Sequence, residues 1–354
     1  MCERYHYLYN QRIERMHPLI SPQALAEKIP MSEKSFQTVK TGRKEVEAIL
    51  KGSDKRFLLI VGPCSIHDRI SALDYAARLM RMREQYRPSF CIIMRTYFEK
   101  PRTNLGWRGL ITEPQRNGCV NMAGGLEMAR RILSEITEMG LPAATELLDP
   151  IVPQYISDFI SWASIGARSA ESQIHRELAS GLSMPVGFKN PTDGRVAVAV
   201  NAIVAAQKPH AFIGIMPDGY AAVVHTAGNE TAHLVLRGGS DSPNYDRISI
   251  EKSCQELEDR GIHPALLIDC SHGNSQKDPA RQCDVLLDTL RLRVTDPSCA
   301  AIRGCMIESF IRAGSISSEY GTQSESYGTS ITDPCMSWEM TEAVLSQAAD
   351  LWRL

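Results

Sequence analysis

The chain has 354 residues, is 43% hydrophobic and 23% charged, and carries a formal net charge of −2. This is an ordinary soluble composition, large enough for two domains or for a barrel of about 250 residues with additions. It excludes a bulk polycation, so neither nucleic acid nor a membrane surface is an expected partner, and anion binding must come from local placement of Arg and Lys. No apolar run reaches a membrane span, and the charged first twenty residues hold no signal-peptide core. A cytoplasmic location is therefore expected, with the ten cysteines as free thiols and no Cys-x-x-Cys pair to suggest a zinc ribbon.

Residues 1–45 read as an N-terminal extension and 46–354 as the main domain. From there a short apolar run, a polar end and a helical stretch recur in order. "RFLLIVG" (56–62) precedes a helix with Tyr75, Leu79, Met82 and Tyr86 at helical spacing. "FCIIMR" (90–95) precedes a long polar loop and a helix ending at Gly140, where a C-cap belongs. "AATELL" (143–148) precedes "PQYISDFISWA", expected as a helix, and "SIGAR" (164–168), expected as the next strand. "PVGFK" (185–189), "AHLVLR" (232–237), "ALLIDC" (265–270) and "AIRGCMIE" (301–308) continue the series, each followed by a helical segment. Eight alternating units predict a closed (β/α)8 TIM barrel with the N-terminal extension. Two further runs over 211–228 surround the turn "PDGY" and predict a hairpin inserted between units five and six.

A barrel of this kind builds its site where strands end. The runs end in Cys64, Arg95, Glu146, Arg168, Lys189, Arg237, Asp269 with His272, and Glu308. One set is cationic: Arg95, Arg168, Lys189 and Arg237, joined by Lys100 and Arg102 of the loop after the second run. Six converging cations are costly unless anions fill the space, and the count favours substrates with more than one anionic group. The other set is Cys64, His272 and Glu308, with Asp333 of the final loop. Thiol, imidazole and two carboxylates suit one divalent transition ion (Mn, Fe, Co or Zn) better than magnesium or calcium. Taken singly, each residue has a plainer reading. Cys64 is a small hydrophobe, each Arg or Lys a solvated surface charge, Glu146 a salt-bridge partner, and His67 structural.

Several stretches carry a resemblance: "GPCSIHD", "MRTYFEKPRTNLGWRGLI", "SWASIGARSAESQIHRELASGL", "PVGFKN", "HLVLRGG", "DCSHGNSQKD", "MIES" and "YGTSITDPCMSWE". In this order they resemble the type I 3-deoxy-D-arabino-heptulosonate 7-phosphate (DAHP) synthases, the feedback-regulated bacterial and fungal kind. The resemblance implies condensation of phosphoenolpyruvate with erythrose 4-phosphate, the first step of the shikimate pathway. It implies Cys64, His272, Glu308 and Asp333 as metal ligands, and Lys100, Cys64 and His272 as catalytic groups. Phosphoenolpyruvate is expected at Arg95, Lys100, Glu146, Ala167, Arg168, Lys189 and Arg237. Erythrose 4-phosphate is expected at Lys100, Pro101, Arg102, Thr103 and Asp333. An aromatic amino acid effector is expected near Asn10 and Ser183. Tyr9 and Asn10 stand where phenylalanine-sensitive relatives carry two aspartates, which argues against phenylalanine; tyrosine is the first expectation, with loss of feedback or another aromatic effector next. A homodimer or homotetramer is also implied. The rivals are a 3-deoxy-D-manno-octulosonate 8-phosphate synthase-like condensation, a barrel metallohydrolase and a non-catalytic amino acid sensor.

Overall fold

The computed structural model describes residues 8–102, 106–316 and 326–353. Two helices precede the first strand, α1 (Pro22–Lys28) and α2 (Glu33–Leu50), each started by a serine, Ser21 or Ser32, whose hydroxyl accepts a backbone N–H of the first turn. The elements then run β1 (Phe57–Gly62), α3 (Arg69–Gln85), β2 (Phe90–Arg95), α4 (Met122–Glu138), β3 (Ala143–Glu146), α5 (Pro153–Ile156), β4 (Ile160–Ile165), α6 (Gln173–Ser180), β5 (Val186–Lys189) and α7 (Val196–Ala206). Next come β6 (Ala211–Ile215), β7 (Ala221–His225), β8 (His233–Leu236), α8 (Arg247–Glu258), β9 (Leu266–Asp269), α9 (His272–Ser275), α10 (Arg281–Thr295), β10 (Ile302–Glu308) and α11 (Trp338–Trp352).

Eight of these strands close into a parallel barrel in the order β1-β10-β9-β8-β5-β4-β3-β2. The antiparallel pair β6–β7 stands outside it, between the fifth and sixth barrel strands, as expected for the inserted hairpin. Barrel strands are covered on both faces, which is why they read as continuous apolar runs rather than alternating ones. Alternate residues divide between two cores. Leu58, Ile60, Cys91, Ile93, Trp162, Val235, Leu267 and Met306 fill the interior, joined by Val46, Ile49 and Leu50 of α2, which plugs one end. Phe57, Leu59, Val61, Phe90, Ile92 and Met94 face the surrounding helices instead.

One boundary differs from expectation. The stretch expected as a helix over 153–163 keeps only α5 and a 3-10 turn, Ser157–Phe159, before β4 begins at Ile160. All six residues of "ISWASI" are buried, and they pair with β3 and β5, so sheet pairing overrides the weak helical pattern. Arg168 therefore lies three residues beyond its strand rather than at its end. Among the described residues, no helix is long and apolar enough to cross a membrane.

Candidate active site

Register places the first set of groups. Gly62 pairs with Glu308, and Ser309 N donates to Gly62 O at 2.9 Å, so the turn Gly62-Pro63-Cys64 sits beside the end of β10. Gly62 must be glycine, because a Cβ there would lie 2.6 Å from Arg95 O. One donor atom from each of Cys64, Glu308 and Asp333 falls within 4.8 Å of the others. His272 Nε2 lies 3.9 Å from Glu308 Oε1. Its φ of 54° is in the left-handed region, a strained backbone of the kind found at functional sites. The ring's other nitrogen, Nδ1, lies 3.0 Å from Asp269 Oδ2, and both atoms are buried without an aligned hydrogen bond.

These groups fit a divalent ion. A thiol, an imidazole and two carboxylates is a mixed soft and hard donor set, and orphaned polar atoms lie directly behind it. Burial, then the Glu308 charge, pushes the Cys64 thiol above its usual value, while Lys100 and Arg95 pull it down. Burial also opposes ionisation of Glu308, but Arg95, His272 and Lys100 outweigh it and hold the carboxyl below its usual value. Asp333 behaves alike, with Lys100 and Lys277 overcoming burial. Two carboxylates kept ionised beside a thiol is an arrangement that a cation would relieve.

The second set lines one cavity of about 390 Å³ at the same end of the barrel, a volume suited to small ligands. Lys100, Pro101, Arg102, Glu146, Ala167, Arg168, Lys189, Arg237, His272 and Asp333 all border it. Lys100 Nζ reaches from this cavity to Cys64, donating to Sγ at 3.1 Å and to the carbonyl at 3.3 Å. Burial disfavours its charge, but Cys64 and Glu308 outweigh that and raise the amine above its usual value. Lys189 Nζ lies 2.9 Å from Asp269 Oδ2. Arg237 is pushed down by burial, offset in part by Asp269. Gly166 clears room for Glu146, whose Oε1 would lie 2.0 Å from a Cβ at that position.

Arg95 is placed differently from the other cations. It is buried, donates to Glu308 Oε1 at 2.7 Å, to Pro63 O at 3.1 Å and to Cys64 O at 3.3 Å, and is not among the residues bordering the cavity. Its guanidinium lies against Glu308 and the Pro63-Cys64 carbonyls. Thr103 lies outside the described residues. His67, expected to be structural, is buried. Its Nε2 pairs with Ser326 O at 3.0 Å, while Asp68 caps α3 by accepting from Ile70 N and Ser71 N.

Ser183 borders a separate cavity of about 280 Å³ with Arg43, Glu47 and Leu182, and Asn10 is not on its wall.

Sequence reasoning gave no role to Tyr97, whose ring lies 3.5 Å below the Arg95 guanidinium and 5.8 Å from Lys189 Nζ. It also passed over Lys277, whose Nζ donates to Asp333 Oδ1 at 3.0 Å, and Cys335, whose Sγ accepts from Cys64 N at 3.3 Å. Neither Tyr97 nor Lys277 ends a strand, so the strand-end rule had no means of finding them.

Residues 28–346 match the DAHP synthetase I family. The chain belongs to this family. It is 48% identical over 339 residues to the phospho-2-dehydro-3-deoxyheptonate aldolase of Haemophilus influenzae, covering 96% of this chain and 93% of that one. The Tyr-sensitive enzyme of that name from Escherichia coli is 46% identical over 340 residues, covering 96% and 95%. The Phe-sensitive and Trp-sensitive Escherichia coli enzymes are also 46% identical, over 96% of each chain, so overall identity does not separate the effectors. The solved structure of the phospho-2-dehydro-3-deoxyheptonate aldolase from Francisella tularensis superposes with a TM-score of 0.92 at 43% identity, covering 96% of this chain and 98% of that one. Within the DAHP synthetase I family, the cavity and the donor cluster at the strand ends are the features on which chemistry must be built.

Proposed function

We propose that this site condenses phosphoenolpyruvate with D-erythrose 4-phosphate, giving 3-deoxy-D-arabino-heptulosonate 7-phosphate and inorganic phosphate, the first step of the shikimate pathway. The observation that carries the reading is the charge balance at the mouth. Lys100, Arg102, Arg168, Lys189, Arg237 and Lys277 border the cavity against Glu146, Asp269 and Asp333, while Arg95 and Glu308 cancel each other as a buried pair, leaving an excess of three positive charges. A divalent ion on a Cys64 thiolate adds about one more. Two phosphates and a carboxylate bring roughly −4 to −5, close to a balance.

Arg168 and Arg237, with the backbone N–H of Ala167, take the phosphoenolpyruvate phosphate, and Lys189 its carboxylate, with Glu146 beside it. Arg102 and Thr103 take the phosphate of the sugar. Cys64, His272, Glu308 and Asp333 would hold a divalent ion, which when bound would supply Lewis acidity toward a carbonyl oxygen. Fixed in this geometry, the enol carbon attacks the aldehyde carbon, and the carbonyl π pair moves to oxygen. Lys100 holds a proton at Nζ between Cys64 and the cavity and passes it to that oxygen. Water then adds to the cationic carbon, and phosphate leaves with its C–O bond broken. Orientation by the cation cluster supplies the entropic part of the rate.

An aromatic amino acid, tyrosine first, is proposed as effector, supported by relatives named for such sensitivity. A homodimer or homotetramer is proposed from apolar side chains left in solvent on the hairpin, Ile213 at 86% and Val223 at 65% exposure. A cytoplasmic location is proposed with it.

The test follows phosphoenolpyruvate consumption with erythrose 4-phosphate, with arabinose 5-phosphate as the swap, with and without chelator, and with Tyr, Phe or Trp. Turnover with the four-carbon sugar, lost on chelation and restored by a divalent ion, is expected. No consumption with Mn, Fe, Co or Zn would sink the reading.

A further inference from the structure

Asp269 stands between the two halves of the site. It ends β9, its side chain has no solvent exposure, and a single oxygen, Oδ2, meets Lys189 Nζ at 2.9 Å and His272 Nδ1 at 3.0 Å. The other oxygen, Oδ1, accepts from Ser271 N at 3.1 Å, and the Asp269 backbone carbonyl accepts from Asn274 Nδ2 at 2.9 Å, so both the side chain and the main chain of Asp269 are held. Lys189 belongs to the cavity that takes anions, and His272 to the donor cluster. His272 borders that cavity as well, and the shared carboxylate oxygen gives the two side chains a direct electrostatic link.

We infer that Asp269 is a positioning residue that couples metal binding to phosphoenolpyruvate binding, by sharing Oδ2 between the metal-facing histidine and the carboxylate-facing lysine. The inference rests on the ligand assignments proposed above. A carboxylate at Nδ1 fixes a proton there and leaves the Nε2 lone pair to face Glu308 and the ion site, the usual way a partner orients a ligating histidine. The same oxygen neutralises Lys189. When a substrate carboxylate draws on Lys189, less of the Asp269 charge is cancelled, more of it falls on the His272 Nδ1–H, and the ion is held more tightly at Nε2. By linkage, the ion then tightens phosphoenolpyruvate to the same degree.

The experiment measures the Mn²⁺ dissociation constant of metal-free enzyme by electron paramagnetic resonance of the free ion, with and without saturating phosphoenolpyruvate. Wild type is expected to bind Mn²⁺ at least five-fold more tightly with phosphoenolpyruvate present. In D269N the affinity for Mn²⁺ alone falls 10- to 100-fold, the five-fold enhancement disappears, and KM for phosphoenolpyruvate rises while KM for erythrose 4-phosphate stays within two-fold. A D269N enzyme that binds Mn²⁺ like wild type overturns the positioning role. One that weakens Mn²⁺ but keeps the enhancement overturns the coupling, which is then direct attraction between ion and anion. Should D269N not fold, K189M keeps all four proposed ligands and frees Oδ2 for His272. It is expected to tighten Mn²⁺ several-fold, and an unchanged constant refutes the bridge. Because Mn²⁺ binding is read without turnover, an enzyme that fails to condense the two substrates but shows these shifts discredits the reaction and not the bridge.

Discussion

Arg95 is the group whose replacement tests the electrostatics of the site most directly. Arg95 and Glu308 have 1% and 0% side-chain exposure and meet at 2.7 Å. Breaking such a pair from one side costs about 3–5 kcal/mol, because the remaining charge stays buried. In R95M, Ser271 Oγ still donates to Glu308 Oε2 at 3.0 Å, and His272 and Lys100 still favour the carboxylate. The lower end, about 3 kcal/mol, is therefore expected at pH 7, or a fall of about 6 °C in the unfolding midpoint at roughly 2 °C per kcal/mol. The sign with pH follows from the direction of the shift. In wild type the Glu308 carboxyl is depressed, since Arg95 and its neighbours outweigh burial. Such a group adds stability that is present above its unfolded pKa, about 4.3, and is lost as pH falls through the folded value. Without Arg95, burial moves the carboxyl upward, and the variant favours the protonated form. The deficit should be largest at pH 7 and shrink toward pH 5. Thermal unfolding of metal-free wild type and R95M at pH 5, 6, 7 and 8 measures it. A deficit below about 1 kcal/mol, or one that does not change across this range, refutes the placement of Arg95 as the counter-charge of Glu308.

Two further substitutions separate binding from folding. R237A removes charge-assisted hydrogen bonds worth about 1.5–3 kcal/mol, so KM for phosphoenolpyruvate should rise roughly 10- to 150-fold, with KM for erythrose 4-phosphate little changed, in steady-state kinetics. G166A places a methyl group 2.0 Å from the Glu146 carboxylate, the mobile end of a side chain. The unfolding midpoint should hardly move, while KM for phosphoenolpyruvate increases. An unchanged KM would remove Glu146 from the site.

The barrel was legible because burial on both faces writes each strand as an apolar run ended by a polar residue, and because helices separate the runs. Legibility failed at β4 for a related reason. "ISWASI" lacks a long aliphatic run, and Phe159 and Ile160 continue the helical spacing of the preceding segment, so periodicity alone carried the helix four residues too far. The pairings Ala144–Trp162 and Ala163–Val186 that decide the matter lie in other segments of the chain. The inserted hairpin was legible for the opposite reason. It is exposed on one face, so Ile213 and Val223 alternate with more buried neighbours, and "PDGY" marks its turn.

At the site, strand ends identify which residues meet but not which of them pair. Arg95 and Lys189 looked equivalent in the sequence, both cations closing apolar runs. In the fold each has its own buried carboxylate, Glu308 for one and Asp269 for the other. The difference comes from register. Arg95 is the last residue of β2, and its guanidinium reaches Pro63 O, Cys64 O and Glu308 Oε1 beside the Gly62 turn. Lys189 closes β5, three strands away from Glu308 on β10 with β9 and β8 between them, and keeps its amine on the cavity wall. A cation paired with Glu308 cannot take a substrate anion without giving up a buried ion pair. Lys189 can, because its partner Asp269 has His272 as a second claimant. On these grounds Lys189 is the better of the two as the proposed anchor for a substrate carboxylate, and Arg95 keeps Glu308, a proposed metal ligand, ionised.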